Sequence, residues 1–133
     1  MKTVGQIPSQ PIRGYQLRVD GSGVTCHPGD LKHFLDEVVP AIGMTLIPPT
    51  DDQPNPMVSE PHGQAIAIIA ESHVYIWVQG SEAICIVFSC RAFEPSIVLA
   101  LLCQRFGGTW RSRWSAERSQ EAKARKLPRE ALC

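Results

Sequence analysis

Over residues 15–20, apolar Tyr15, Leu17 and Val19 alternate with polar Gln16, Arg18 and Asp20, the two-residue period of a half-buried strand. Gly21-Ser22-Gly23 ends that run. Past Asp30, a candidate N-cap, the period becomes helical. Leu31, Phe34, Leu35, Val38, Val39 and Ile42 share one face, Pro40 falls near the end and Gly43 closes it. Residues 44–47 predict a short strand. Residues 48–61 hold five prolines, a density that excludes helix or central strand and predicts a loop suited to covering a pocket.

Two apolar runs follow, residues 65–70 and 74–78, interrupted by Glu71-Ser72-His73. A Gln79-Gly80-Ser81 turn leads to a third run, residues 83–89. Glu94-Pro95 opens a second helix with Ile97, Val98, Leu101, Leu102 and Phe106 on its apolar face, and Gly107-Gly108 stops it. Residues 109–114 predict a final edge strand. The order implies an α+β fold, a two-layer sandwich with a mainly antiparallel sheet and helices on one face. Because the strand runs are apolar on both faces, the other face also needs cover, which a homodimer stacking sheet to sheet would supply. Residues 1–13 read as a flexible lead-in, 14–114 as the domain, and 115–133 as a basic, solvated, partly helical tail.

Charge and cysteine content narrow the function. Thirteen basic residues balance 13 acidic ones, so no net field steers the chain to nucleic acid. Nothing resembles a signal peptide or a membrane span, and the expected location is the cytoplasm. Five cysteines without a CxxC pair read as thiols, most of them buried. No metal site is expected, because His27 beside Cys26 lacks a second ligand pair.

The candidate chemistry lies at Ser72 and Cys90. Ser72 has no G-x-S-x-G elbow around it, and His73, the next residue on a strand, would point to the opposite face. A serine-hydrolase reading is therefore disfavoured. Ala70-Glu71-Ser72-His73, followed by a strand, a turn and Ile86-Val87-Phe88-Ser89-Cys90, instead resembles the bacterial S-adenosylmethionine decarboxylase proenzyme family, as a divergent member. Gly14-Tyr15-Gln16-Leu17, Ala41-Ile42-Gly43-Met44-Thr45 and residues 94–106 extend the resemblance over most of the chain.

That resemblance implies a pyruvoyl-dependent decarboxylase of polyamine biosynthesis, homodimeric and self-cleaving between Glu71 and Ser72. Ser72 would be the precursor of the pyruvoyl cofactor, whose carbonyl acts as the electron sink for loss of CO₂. Cys90 would be the proton donor. The substrate would be S-adenosylmethionine or, with a changed pocket, arginine or ornithine. The family's processing histidine, five residues after the serine, is Trp77 here, read as a core residue. His62 is a candidate replacement imidazole, and His73 a supporting residue of the site. The family's adenine-stacking aromatic has no counterpart in residues 35–74, which contain neither Phe nor Tyr. A non-processing homologue with a binding or regulatory role is the alternative.

Overall fold

In the computed structural model, which describes residues 13–70, 72–118, 121–124 and 130–132, the strand-like runs form one antiparallel sheet. Along the chain lie β1 (Arg13–Ser22), α1 (Asp30–Ala41), β2 (Met57–Ser59) and a 3-10 turn (Glu60–His62). Then come β3 (Gln64–Ile69), β4 (Ser72–Gln79), β5 (Glu82–Ser89), α2 (Pro95–Phe106), β6 (Thr109–Arg118), β7 (Glu121–Ala124) and β8 (Glu130–Leu132). The strand order is β2-β3-β4-β5-β1-β6-β7, with β8 also on β6. The arrangement is α+β, as the periodicities imply.

Alternation assigns every strand residue to a face. Leu17, Val19, Ala67, Val74, Ile76, Cys85, Val87 and Trp110 point to one side and are fully buried beneath the helices. Phe34, Leu35 and Val38 of α1 and Val98 and Leu102 of α2 complete that core. The helices meet edge to face at Phe34 and Phe106, 5.8 Å between ring centroids, and Arg105 of α2 ties Glu37 and Asp30 of α1. Gly21 is required by packing: a Cβ there would lie 2.6 Å from the Trp110 indole. The β4–β5 hairpin turns on Gly80 at φ 62°, a conformation that favours glycine.

Several expectations are corrected. Asp30 is the first helical residue rather than the cap. Gly29 holds that place at φ 87°, and the Asp30 carboxylate accepts the His27 N–H at 2.8 Å. Residues 44–47 contribute a single bridge, Leu46 to Ile69, because Asn55 takes up the neighbouring hydrogen bonds of the β3 edge. The proline-rich stretch is not all loop, for β2 and the 3-10 turn lie within it. Prolines stand outside the short edge strand, where a missing N–H costs nothing.

β6 is not an edge strand. β1 pairs along one side of it, while β7 and β8 pair with its two ends on the other. It also runs past residue 114 to Arg118, so the described parts of the tail are strands rather than helix. Cys103 is disulfide-bonded, against the expectation of thiols throughout, and its partner lies outside the described residues. Residues 1–12 of the expected lead-in also lie outside them. No helix among the described residues is long and apolar enough to cross a membrane.

Candidate functional site

Ser72 opens β4 and pairs with Ile69, the last residue of β3. Even-numbered positions of β4 face the helices, so Ser72 shares the side of Val74 and Ile76 and is only 8% exposed. β5 runs beside β4, with His73 opposite Phe88, and the chain bends just after Ser89. The pairing brings Cys90 to Ser72: the Cys90 backbone N–H donates to Ser72 Oγ at 3.2 Å. Ser89 holds the next residue in the same way, its Oγ accepting the Arg91 N–H at 2.9 Å. Two serine hydroxyls on adjacent strands thus fix the bend that carries Cys90. Glu71, the other half of the expected cleavage site, lies outside the described residues.

The two histidines are placed elsewhere. His73 projects from the open face and stacks on Phe88, 6.0 Å between centroids at 26°. It is adjacent to Ser72 in sequence and on the opposite side of the sheet. His62 sits in the 3-10 turn, where its Nδ1 lies 2.8 Å from Ser59 Oγ. That turn precedes Gln64, which pairs with Trp77, so it is five strand residues from Ser72, about 17 Å. Trp77 is half-buried on the open face and is not a core residue, because an odd offset from Ser72 reverses the side.

An aromatic group that sequence reasoning missed stands at the Ser72 end of the sheet. Tyr15 pairs with Ser89, stacks on Trp114 at 6.1 Å, and Phe93 meets Trp114 edge to face at 4.9 Å. Tyr15 is half-buried and Phe93 follows the Cys90 bend. The β1–β5 register unites residues far apart in sequence, so only a correct strand order could have revealed this group.

Two concavities lie at the other end of the sheet. One, of about 590 Å³, is lined by Cys26, Glu60, His62, Trp77 and Gly80 among others. Burial, together with the carboxylates of Asp30 and Glu60, holds the Cys26 thiol above the ordinary cysteine range and so favours its neutral form. No three His, Cys, Asp or Glu side chains converge to hold a metal among the described residues. The other, of about 430 Å³, opens on the uncovered face beside Trp77, Arg111 and Arg113. Set against known proteins, the chain is matched by no family model, no curated protein and no solved structure.

Proposed function

We propose that this chain is the proenzyme of a pyruvoyl-dependent decarboxylase of the S-adenosylmethionine decarboxylase type. The observation that carries the reading is the Cys90 N–H donated to Ser72 Oγ. A serine that attacks the carbonyl before it must be held in place with its own proton free to leave, and an N–H donated to Oγ fixes the hydroxyl while leaving that proton available. Attack of Ser72 Oγ on the carbonyl carbon of Glu71 breaks the peptide C–N bond and leaves an ester and a free amine on residue 72. Elimination then removes the Cα proton of residue 72 and cleaves its Cβ–O bond, releasing the Glu71 carboxylate and leaving a dehydroalanine that tautomerises to an imine. Addition of water with loss of ammonia completes a pyruvoyl group from Ser72.

That group, once formed, supplies an electron-withdrawing carbonyl for decarboxylation. The chain's own residues would serve it from the covered side. The thiol of Cys90 belongs to the residue whose amide touches Ser72, which suits it to deliver a proton there, and thiols are acidic enough to do so. Tyr15, half-buried, offers aromatic surface for adenine in place of the missing aromatic of residues 35–74. Arginine and ornithine are the alternative substrates. The half-buried apolar open face supports a homodimer stacked sheet to sheet.

A second reading is favoured by one observation: neither described histidine near the motif in sequence reaches Ser72, since His73 faces away and His62 is about 17 Å off. On that reading the chain is a non-processing homologue with a binding or regulatory role. Intact mass under denaturing conditions separates the two. Wild type should split into two fragments between Glu71 and Ser72, the C-terminal one blocked to Edman degradation, while Ser72→Ala stays whole. A wild type that remains a single species near 14.7 kDa after long incubation sinks the decarboxylase.

A further inference from the structure

We infer that the open face carries a second binding site, at the Gly80 end of the sheet, for a planar heteroaromatic ring joined to an anionic group, the chemistry of a mononucleotide. The inference is independent of the decarboxylase reading. The concavity of about 430 Å³ falls in the range of small-molecule sites, and its lining includes Trp77, Ile84, Asp20, Glu82, Arg111 and Arg113. Four of these form one row across the sheet: Trp77 pairs with Ile84, Ile84 with Asp20, and Asp20 with Arg111. Three strand spacings separate the backbones of Trp77 and Arg111, about 14 Å. That span leaves room for a ring, a sugar-sized spacer and an anion.

The chemistry differs from one end of the row to the other. Trp77 and Ile84 are half-buried and offer an apolar wall with an aromatic face on which a ring can stack. At the far end Arg113 stands directly opposite Arg18, an arrangement that destabilises a sheet when both are charged. Arg18 turns to Asp20 at 3.1 Å, whereas Arg113 is exposed and makes no ion pair among the described residues. A guanidinium placed beside a like charge at the rim of a concavity is set to receive an anion, and its planar fork suits phosphate or carboxylate. Asp20 and Glu82 lie between the two ends. They repel an anion from the middle of the row, confining it to the arginine end, and can accept hydrogen bonds from sugar hydroxyls. Trp77 is also about 17 Å along the strand from Ser72, so this site is separate from the serine.

The test is titration of the full chain with adenosine 5′-monophosphate, adenosine and inorganic phosphate, followed by calorimetry and tryptophan fluorescence. The monophosphate should bind saturably, one per chain, and quench Trp77, the one tryptophan that is not buried. Adenosine and phosphate should each bind about tenfold or more weakly, and Arg113→Gln should weaken the monophosphate by about tenfold. Trp77→Leu should abolish the quench. Arg113 is exposed and faces a like charge, so its variant should melt no lower than wild type, and weaker binding cannot come from unfolding. Absence of saturable binding at millimolar monophosphate overturns the inference. So does an affinity unchanged in Arg113→Gln, or inorganic phosphate binding as tightly as the nucleotide.

Discussion

The two faces of this sheet are built from the same strands and have opposite characters. The covered face is closed by α1 and α2, and its aliphatic side chains are almost all out of reach of water. The open face carries Ile66, Tyr75, Trp77, Ile86 and Phe88 half-buried, then Met57 and Ile68 at 51% and 42% exposure, and gives way to Arg18, Arg111 and Arg113. One step along a strand moves a residue from one environment to the other. Ser72 and His73 are divided in that way, so sequence adjacency says nothing about whether they cooperate. The covered face holds the serine and its backbone donor. The open face offers surface for a second copy or a ligand.

Substitutions on each face should sharpen the contrast. The largest loss belongs to the helix layer. Phe34→Ala removes a fully buried ring that α2 packs against and should cost about 3–5 kcal/mol in urea unfolding. A cost under about 1 kcal/mol would mean that the covered face is not close-packed. Gly21→Ala drives a methyl into Trp110 and should cost roughly 1–3 kcal/mol, with a change in the near-ultraviolet tryptophan signal.

Cys85 gives a pH signature of the same face. Complete burial pushes its thiol well above the usual cysteine range, so the folded chain keeps its proton where the unfolded chain loses it. The folded pKa is the higher one. The contribution is therefore fully present below about pH 8.5 and is lost as pH rises above that value, by up to ~1.4 kcal/mol per unit. Stability measured between pH 7 and 10 should fall more steeply in wild type than in Cys85→Ala. Equal slopes would remove the buried thiol from the account. The smallest effect on folding belongs to the open face. Ile68→Glu should change the stability of the isolated chain by no more than about 0.5 kcal/mol. Sedimentation should nevertheless show that variant as a monomer where wild type is a dimer. A wild type that is monomeric at all concentrations defeats the stacked-sheet dimer.

Much of the secondary structure was legible in one dimension. The alternation at Tyr15, Leu17 and Val19, the helical spacing from Leu31 to Ile42, and the Glu94-Pro95 start of α2 each carry their own period or cap. The Glu94 carboxylate does cap α2, accepting the Ser96 N–H at 3.5 Å. Errors fell where the deciding contact was non-local. β6 read as an edge strand because its pairing with β7 and β8 leaves no mark on Thr109-Trp110-Arg111 themselves. Trp77 read as core because a large apolar residue in an apolar run usually is; parity with Ser72 assigned it to the other face. Asp30 looked like a cap, yet Gly29 adopts the left-handed conformation that begins the helix.

Ser72 and Cys90 show the same division. The amino-acid order determined which residue types were available, how far apart they stand, and that Ser72 and His73 face opposite ways if the segment is extended, since side-chain alternation is a property of the strand backbone alone. It could not set the neighbours of either residue. The Cys90 N–H reaches Ser72 Oγ because β4 and β5 pair in one register, and Tyr15 comes alongside because β1 lies next to β5. The same strand order lines up Trp77, Ile84, Asp20 and Arg111 across the open face. Those placements depend on long-range hydrogen-bonded pairing and on the core that fixes its register, and only the folded sheet decides them.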